Sequence, residues 1–275
     1  MVILFLTAAV AFSSRITSVI LYESIIHEYD PYFNYRATLH LLDKGHYQFL
    51  NWFDSNSWYP LGRNIGSTVY PGSIFANKLF LSLIRLFRIN NGTWIVLQMK
   101  ISVEALILHE TTILFTGLMV VAAFLHKFLN WLHITVHIRE ICVFIGPIFS
   151  VFTIGVMYLF GKKIDNDCTG LMSAALMAVV PGSTFRSVAG SFDNESTAIF
   201  LMVFTFYCWI QALDSGNIFW SMICALVYFG MSYTWGGYVY VLNLIALHSF
   251  FLILAGRFSS KTYVAYSIVN ILANF

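Results

Sequence analysis

Charged residues are scarce in this sequence of 275 residues. Asp, Glu, Lys and Arg make up 10% of it, against about 25% in soluble globular domains. Hydrophobic residues make up 59% and aromatic residues 17%. A soluble protein could not cover so much apolar surface with so few charges. The composition therefore excludes a soluble enzyme, a disordered chain and a nucleic-acid-binding domain, and it indicates a membrane protein.

Cysteine is also sparse, with 4 residues and no C-x-x-C spacing. All of them lie in or beside apolar runs: Cys142, Cys168, Cys208 and Cys224. A free cysteine in such a run behaves as a small hydrophobic residue. We therefore expect neither a zinc site nor a disulfide framework.

Long uncharged runs predict the membrane helices, because a spanning helix needs about 20 mostly apolar residues. Met1–Tyr22 is the first candidate, and Arg15 within it should face protein rather than lipid. Ser215–Gly256 is long enough for two spans joined by the turn 232–238. With three further runs, we expect about six complete helices and the start of a seventh: Ile141–Phe160, Cys168–Phe185 and Thr197–Leu213, with the seventh at Thr262–Phe275.

The basic residues of the short connections predict how these helices are oriented. The positive-inside rule places such connections in the cytoplasm, and the residues concerned are Lys162, Lys163, Arg257 and Lys261. The long segment 23–139 would then lie on the far side. Within it, 111–132 is expected to form an interfacial helix, since its uncharged run is short for a span. If it spanned instead, every later connection would change sides.

Two acid-x-acid motifs stand out against this scarcity of charge. Glu28-Tyr29-Asp30 follows the first expected helix, and Asp193-Asn194-Glu195 follows the third. Carboxylates two positions apart suit Mg²⁺ or Mn²⁺, which prefer oxygen ligands. A single acid at a helix end commonly serves only to solvate that end. Two motifs on one membrane face, each with an arginine nearby, favour a metal site that could hold a pyrophosphate group.

Longer strings around these motifs resemble the catalytic subunit of eukaryotic oligosaccharyltransferase. Glu23–Arg36 (ESIIHEYDPYFNYR) is similar to the first luminal motif of that family, and Ser187–Glu195 (SVAGSFDNE) to its second acidic motif. Shorter strings also match, at Asn51–Asp54, Trp58–Arg63, His133–Arg139 and Trp235–Val239. The resemblance covers residues 1–72 and about 118–275. The segment 73–117 has no recognised counterpart. It is either a true insertion or sequence that was wrongly joined into a gene model.

The resemblance implies an all-α polytopic membrane glycosyltransferase of the lipid-donor type, in the endoplasmic reticulum membrane with a luminal active site. The family transfers a preassembled oligosaccharide from dolichyl pyrophosphate to Asn of Asn-x-Ser/Thr in a nascent polypeptide. Membrane lipid and other oligosaccharyltransferase subunits are further implied partners. By the same resemblance, Asp30, Asp193 and Glu195 bind Mn²⁺ or Mg²⁺, and Asp30 accepts a hydrogen bond from the acceptor amide. Arg186 lies near the site, and Glu28 is expected to support it.

The expected organisation has three regions. They are a first transmembrane helix over 1–22, a long luminal loop with interfacial helices over 23–139, and a multi-helix transmembrane region over 140–275. In the family the chain continues through further helices and a soluble domain. We therefore expect this chain to be a truncated portion without transferase activity on its own.

The roles of several other residues have two possible interpretations. Trp235 and Tyr238 either contact the donor lipid or anchor the turn at the membrane interface. Asn91 begins a sequon that the expected orientation would place in the lumen, where it could be glycosylated. His133 and His137 have the spacing of helical metal ligands, but we favour a structural or interfacial role.

Two alternative functions remain open at this stage. The chain could be another polyprenyl-phosphate-dependent membrane glycosyltransferase, although Ser187–Glu195 argues against it. It could also be a non-catalytic membrane scaffold that binds partner subunits. A transporter is disfavoured, because its ionisable residues should lie near mid-membrane rather than at helix ends.

Overall fold

The computed structural model describes residues 2–65 and 117–273. Within these ranges the chain is mostly helical, as its composition predicted, with ten α-helices and one small sheet. The helices are α1 (Val2–Tyr22), α2 (Tyr29–Leu50), α3 (Leu118–Trp131), α4 (Ile138–Ile164), α5 (Asp167–Val179), α6 (Pro181–Phe185), α7 (Asn194–Ser215), α8 (Ile218–Ser232), α9 (Tyr238–Leu254) and α10 (Ser260–Ala273). Asn91 and nearly all of 73–117 lie outside the described residues.

Three of the described helices are long and apolar enough to cross a membrane, namely α1, α4 and α7. Four others are apolar but shorter: α3, α5, α8 and α9. At 1.5 Å per residue, the 27 residues of α4 extend about 40 Å, more than the hydrocarbon core of a bilayer. The apolar runs in the sequence therefore mark the positions of the long helices, although the helices begin and end at different residues.

The run Cys168–Phe185, which we expected to form one span, is divided. α5 ends at Val179, Val180 has the extended dihedral angles φ −60° and ψ 126°, and α6 begins at Pro181. Proline has no backbone N–H to donate, and its ring disfavours helical dihedral angles at the preceding residue. The run therefore forms helices of 13 and 5 residues.

The segment expected to be a loop with interfacial helices also contains strands, so the chain is not strictly all-α. β1 (Phe53–Asp54) pairs antiparallel with β2 (Arg63–Asn64). The carboxylate of Asp54, which is 3% exposed, accepts hydrogen bonds from the Arg36 guanidinium at 2.9 Å and from the Ser57 hydroxyl at 2.5 Å. These contacts tie the hairpin to α2, a helix that no apolar run in the sequence had predicted.

α4 lies at the centre of the helical assembly and packs against α1, α5 and α7. Small residues allow its close approach to α5. A Cβ added at Gly161 would lie 2.9 Å from the Cα of Gly170, and one added at Gly170 would lie 2.7 Å from the carbonyl oxygen of Tyr158. Glycine at a helix contact lets two backbones come together, as is common between membrane helices.

Two of the basic residues near the short connections, Lys163 and Lys261, meet at one end of this assembly. The Lys163 ammonium forms an ion pair with Asp214, and the Lys261 ammonium donates to the Asp214 carbonyl at 3.2 Å. Lys163 is in the last turn of α4, Asp214 is near the end of α7, and Lys261 is near the start of α10. The ends of three helices therefore lie together at this end of the assembly.

Candidate functional site

The acidic motifs lie at the N-terminal ends of two helices. Asp30 is in the first turn of α2, and Glu28 occupies the N-cap position without a hydrogen bond from its side chain to the helix. Asp193 caps α7, and Glu195 is in its first turn. The N-terminal end of a helix carries free N–H groups and a partial positive charge, so it favours carboxylates and anionic ligands. Two such ends contribute to the candidate site.

Hydrogen bonds to the backbone hold the two motifs together. The N–H of His27 donates to the carbonyl of Gly190 at 3.0 Å. The side-chain amide of Asn34 donates to the carbonyl of Phe192 at 3.0 Å. Asn34 is 5% exposed and Phe192 is fully buried, so this bond lies in the protein interior. The start of α2 is thereby fixed next to the loop that leads into α7.

Gly190 allows this close contact between the motifs. Its φ is +93°, a conformation that side chains rarely adopt, and a Cβ at this position would collide with the carbonyl of Ile25 and the ring of His27. Its own N–H donates to the carbonyl of Val143 in α4 at 3.1 Å. Residue 190 therefore contacts both the first motif and α4, and only glycine fits there.

Like charges converge at Asp193. Burial raises the pKa of its carboxyl above the ordinary value. The Asn194 N–H, which donates to it at 2.7 Å, acts in the opposite direction, as does Arg186, while the nearby carboxylates of Asp30 and Glu28 raise the pKa further. The acids of both motifs are thus close enough to repel one another. A cation among them would relieve this repulsion.

Arg186 is paired directly with an acid of the second motif. Its Nε lies 2.7 Å from Oε2 of Glu195, and the side chains are 54% and 29% exposed respectively. A charge-assisted hydrogen bond of this length orients both groups. One oxygen of Glu195 is consequently engaged by an arginine rather than free for a metal ion.

The predicted metal ligands have a suitable chemical type but are not yet at ligand distances. Carboxylate oxygens are the donors that Mg²⁺ and Mn²⁺ prefer. Within residues 2–65 and 117–273, however, no three His, Cys, Asp or Glu side chains are grouped closely enough to hold one ion. Binding through Asp30, Asp193 and Glu195 therefore stays a prediction, and it would require these side chains to move closer together.

The two aromatic residues predicted to contact substrate lie in and after the turn between α8 and α9. Both are partly buried and pack against the hydrophobic core formed by α7, α8, α9 and α10. The Trp235 ring covers Gly237, and the Tyr238 ring meets the edge of Tyr228 with centroids 6.3 Å apart. These contacts account for packing, and substrate contact by Trp235 and Tyr238 stays a prediction.

The histidine pair does not share a helix. His133 has a φ of +60° in the turn after α3, and His137 caps α4, with its Nδ1 accepting the N–H of Arg139 at 3.1 Å. The spacing of four residues therefore does not correspond to adjacent turns of one helix. The structural role that we favoured for His137 is that of an N-cap.

The sequence did not lead us to predict a role in the site for two residues. Asn34 and Gly190 join the motifs, yet neither carries the charge on which the prediction concentrated. A glycine between small residues just before the second acidic motif was the available signal, because such a position often marks a close approach of backbones. Nothing in the sequence indicated which carbonyl the Asn34 amide would reach.

Proteins with similar sequences are named as oligosaccharyltransferase subunits. The dolichyl-diphosphooligosaccharide–protein glycosyltransferase subunit STT3 of Dictyostelium discoideum is 46% identical over 257 residues, which cover 94% of this chain and 30% of that relative. The chain thus spans about a third or less of the length of the curated relatives that it matches.

Solved archaeal structures have a similar fold. The Archaeoglobus fulgidus oligosaccharyltransferase in complex with Zn and sulfate superposes with a TM-score of 0.67 at 17% identity, covering 98% of this chain and 30% of that one. The Archaeoglobus fulgidus oligosaccharyltransferase AglB with an inhibitory peptide and a dolichol-phosphate superposes with a TM-score of 0.66 at 16% identity, covering 99% and 32%. At these identities the likeness concerns the fold.

A family model matches most of the sequence and shows the family to which the chain belongs. The model described as "Oligosaccharyl transferase STT3, N-terminal" matches residues 1–97 and 110–275. The match includes 73–97 and 110–117, which is most of the segment for which we recognised no counterpart, and it leaves out only 98–109. Both acidic motifs and all the described helices fall inside the match. The chain therefore belongs to the oligosaccharyl transferase STT3 N-terminal family.

Proposed function

We propose that this chain forms the acidic site of an oligosaccharyltransferase. The enzyme transfers a preassembled oligosaccharide from dolichyl pyrophosphate to Asn of Asn-x-Ser/Thr in a nascent polypeptide. The observation that carries the proposal is the joining of the two acidic motifs through the bonds His27–Gly190 and Asn34–Phe192. The Dictyostelium relative, which is a dolichyl-diphosphooligosaccharide–protein glycosyltransferase subunit, supports it.

Asp30 has the role of orienting the acceptor side chain. An amide nitrogen is a poor nucleophile, because its lone pair is delocalised into the carbonyl. A carboxylate that accepts the amide N–H groups can twist the C–N bond and free that lone pair. Asp30 is exposed in the first turn of α2, so it is accessible to a polypeptide. Glu28 supports it from the preceding turn, and Arg186 keeps Glu195 in place before substrate binds.

A divalent cation completes this site. Asp30, Asp193 and Glu195 would hold Mn²⁺ or Mg²⁺, and the ion would neutralise charge on the departing pyrophosphate. The convergence of like charges at Asp193 favours a cation there. The archaeal enzyme that was solved with Zn and sulfate supports a divalent ion in proteins of this fold.

We propose that the chain is a multi-pass protein of the endoplasmic reticulum membrane with its acidic site in the lumen. Six helical spans, with α5 and α6 forming one of them, precede the start of a seventh in α10. Segment 23–139 is the luminal loop, and 140–275 is the multi-helix transmembrane region. α3 lies at the interface within the loop, since Phe124, Phe128 and Trp131 form an exposed stripe along it.

The partners follow from the same assignment. The substrates are a dolichyl-pyrophosphate oligosaccharide and a nascent polypeptide with Asn-x-Ser/Thr, and other oligosaccharyltransferase subunits share the membrane. The archaeal AglB complex contains an inhibitory peptide and a dolichol-phosphate, which supports both substrate classes. Trp235 and Tyr238 face the donor lipid at the membrane interface in this proposal.

A chimera tests the proposed function. Residues 1–275 would replace the matching part of the Dictyostelium relative, and the chimera would be expressed in cells depleted of their own catalytic subunit. We expect restored sequon glycosylation, no restoration by the 275-residue chain without the rest of that relative, and loss of activity in Asp30→Ala. Asp43→Ala is the control, because Asp43 is an exposed acid on the same helix. Full activity of Asp30→Ala in the chimera would overturn the proposal.

A further inference from the structure

Arg15 is a fully buried cation in the middle of α1. Its Nε donates to the hydroxyl of Ser187 at 2.6 Å. One terminal nitrogen donates to the carbonyls of Ala11 at 2.9 Å and Ala178 at 3.2 Å, and the other donates to the Thr184 hydroxyl at 3.4 Å. These acceptors are all neutral oxygens. The guanidinium therefore links α1 to the end of α5, to α6 and to the loop after it.

Holding helices together through a buried cation with neutral partners carries a large desolvation cost. Removing an arginine from water costs several kcal/mol, and apolar residues of similar volume commonly give equal or greater stability. Anchoring alone therefore does not account for a charge at this position. What the guanidinium provides is a planar set of donors with fixed directions.

The donors are directed at the segment that leads to the second acidic motif. The Ser187 hydroxyl accepts from Arg15 and itself donates to the carbonyl of Ser183 at 2.6 Å. The carbonyl of Arg15 accepts the N–H of Ala189 at 2.9 Å, while the hydroxyl of Ser18 donates to the Ala189 carbonyl at 2.7 Å. Residues 187 and 189 are thus held by one turn of α1.

This support lies directly next to the proposed site. Arg186, which pairs with Glu195, immediately precedes Ser187. Gly190, which bonds to His27, immediately follows Ala189. Any displacement of 187–189 would move both of these contacts. The guanidinium itself is remote from solvent, so its effect on the acids is exerted through the loop.

We propose that Arg15 is a positioning residue for the site, fixing the loop 186–190 and thereby the position of Asp193 and Glu195 relative to Asp30. The inference rests on the proposed function, because it assumes that these acids bind a divalent cation. Loss of the guanidinium would release the loop and weaken metal binding, while the helical assembly stays folded.

The test uses the 275-residue chain in lipid nanodiscs, with Mn²⁺ as the probe. Mn²⁺ affinity is measured by electron paramagnetic resonance, and hydrogen exchange is measured for peptides within 183–192. Arg15→Met removes the donors, and Arg15→Lys keeps a charge with a smaller donor set. The control is Thr17→Val, because Thr17 is an exposed residue of the same helix that bonds only within it.

In Arg15→Met we expect Mn²⁺ affinity to fall about tenfold, the scale found when residues behind metal ligands are changed. Exchange should quicken in 183–192 but not in α4 or α7. Arg15→Lys should recover part of both effects, and Thr17→Val should match the unmodified chain. If the Arg15 variants do not fold, Ser187→Ala provides the same test, with the same direction expected for both measurements.

The outcomes separate the inference from the function on which it rests. If the unmodified chain binds Mn²⁺ and Arg15→Met binds it equally well, the positioning role is wrong and the proposed metal site stands. If exchange quickens evenly through the helices while the folded fraction keeps its Mn²⁺ affinity, Arg15 is only structural. If neither protein binds Mn²⁺, the metal site is wrong and the positioning role falls with it.

Discussion

The backbone N–H of His27 lies 3.0 Å from the carbonyl oxygen of Gly190, joining two segments that are far apart in the sequence. His27 immediately precedes Glu28, and Gly190 lies three residues before Asp193. The relative position of the two acidic motifs thus depends on the backbone geometry at residue 190.

Gly190→Ala should separate the motifs. The positive φ and the collision with Ile25 and His27 make an alanine strained at this site, and we expect a loss of about 1–3 kcal/mol in the free energy of unfolding. Gly155→Ala is the matched control, because a Cβ there meets nothing within 4 Å. Both would be compared by titration with SDS in mixed micelles. Equal stability of the two variants would refute the steric argument.

Arg186→Gln should increase Mn²⁺ affinity while reducing transfer by the chimera. The substitution removes a cation next to the acids and frees Glu195, which Arg186 holds at 2.7 Å. With a cation removed, the local potential becomes more negative, and we expect tighter binding by several-fold. Electron paramagnetic resonance of Mn²⁺ checks the sign. Weaker binding in Arg186→Gln would mean that the arginine assembles the ligands rather than competing with the metal.

The free cysteines provide a test of membrane orientation. Cys168, at the start of α5, is exposed, while Cys142, Cys208 and Cys224 are buried. In sealed microsomes a membrane-impermeant maleimide should label Cys168 without detergent, because the proposed orientation puts it in the cytoplasm. Ser55→Cys, made in a Cys168→Ser background, lies in the segment that we propose is luminal, and it should react only after permeabilisation. The reverse pattern would invert the proposed topology.

Acid should loosen the hairpin through Asp54. Burial opposes ionisation of this carboxyl, but the Ser57 hydroxyl, the Asn56 N–H and the Arg36 guanidinium outweigh it and hold the pKa below the ordinary value of 3.8. A carboxyl with a lowered pKa contributes stability above the unfolded value, and that stability is lost as the pH falls through the folded value. The contacts of Asp54 should therefore weaken below about pH 4.

Pepsin cleavage within residues 52–65 measures this effect, because the enzyme works in acid. The ratio of the cleavage rates of Asp54→Asn and the unmodified chain should be well above one at pH 5 and should approach one as the pH falls toward 2. Comparing two proteins at the same pH removes the pH dependence of pepsin itself. Asp43→Asn, an exposed acid on α2, should give a ratio near one throughout.

The sequence predicted the long helices well, because burial in a bilayer demands uninterrupted apolar runs. It also placed Arg15 against protein, where the structure has it fully buried. The division at Pro181 could have been read from the proline alone, but the length of the apolar run from Cys168 concealed it. α2 was missed since its residues are mixed in polarity, and its stability comes from packing against α3 and α4.

The acidic residues of the candidate site were predicted from the sequence, but the hydrogen bonds that connect them were not. Carboxylates are conspicuous in a chain with so few charges, so Asp30, Asp193 and Glu195 could be named directly. The contacts that hold them in place depend on which backbone groups meet in three dimensions. Asn34 and Gly190 form such hydrogen bonds, and the partner of each in the other motif lies more than 150 residues away in the chain.

Because the contacts between the two motifs are neutral, they should depend little on ionic strength. Those contacts are made by backbone groups and by the Asn34 amide, so dissolved salt has little charge there to screen. At the opposite end of the helices, by contrast, Lys163 pairs with an Asp214 side chain that is 67% exposed. The neutral contacts between the motifs should therefore keep their geometry in concentrated salt, while the Lys163–Asp214 pair weakens.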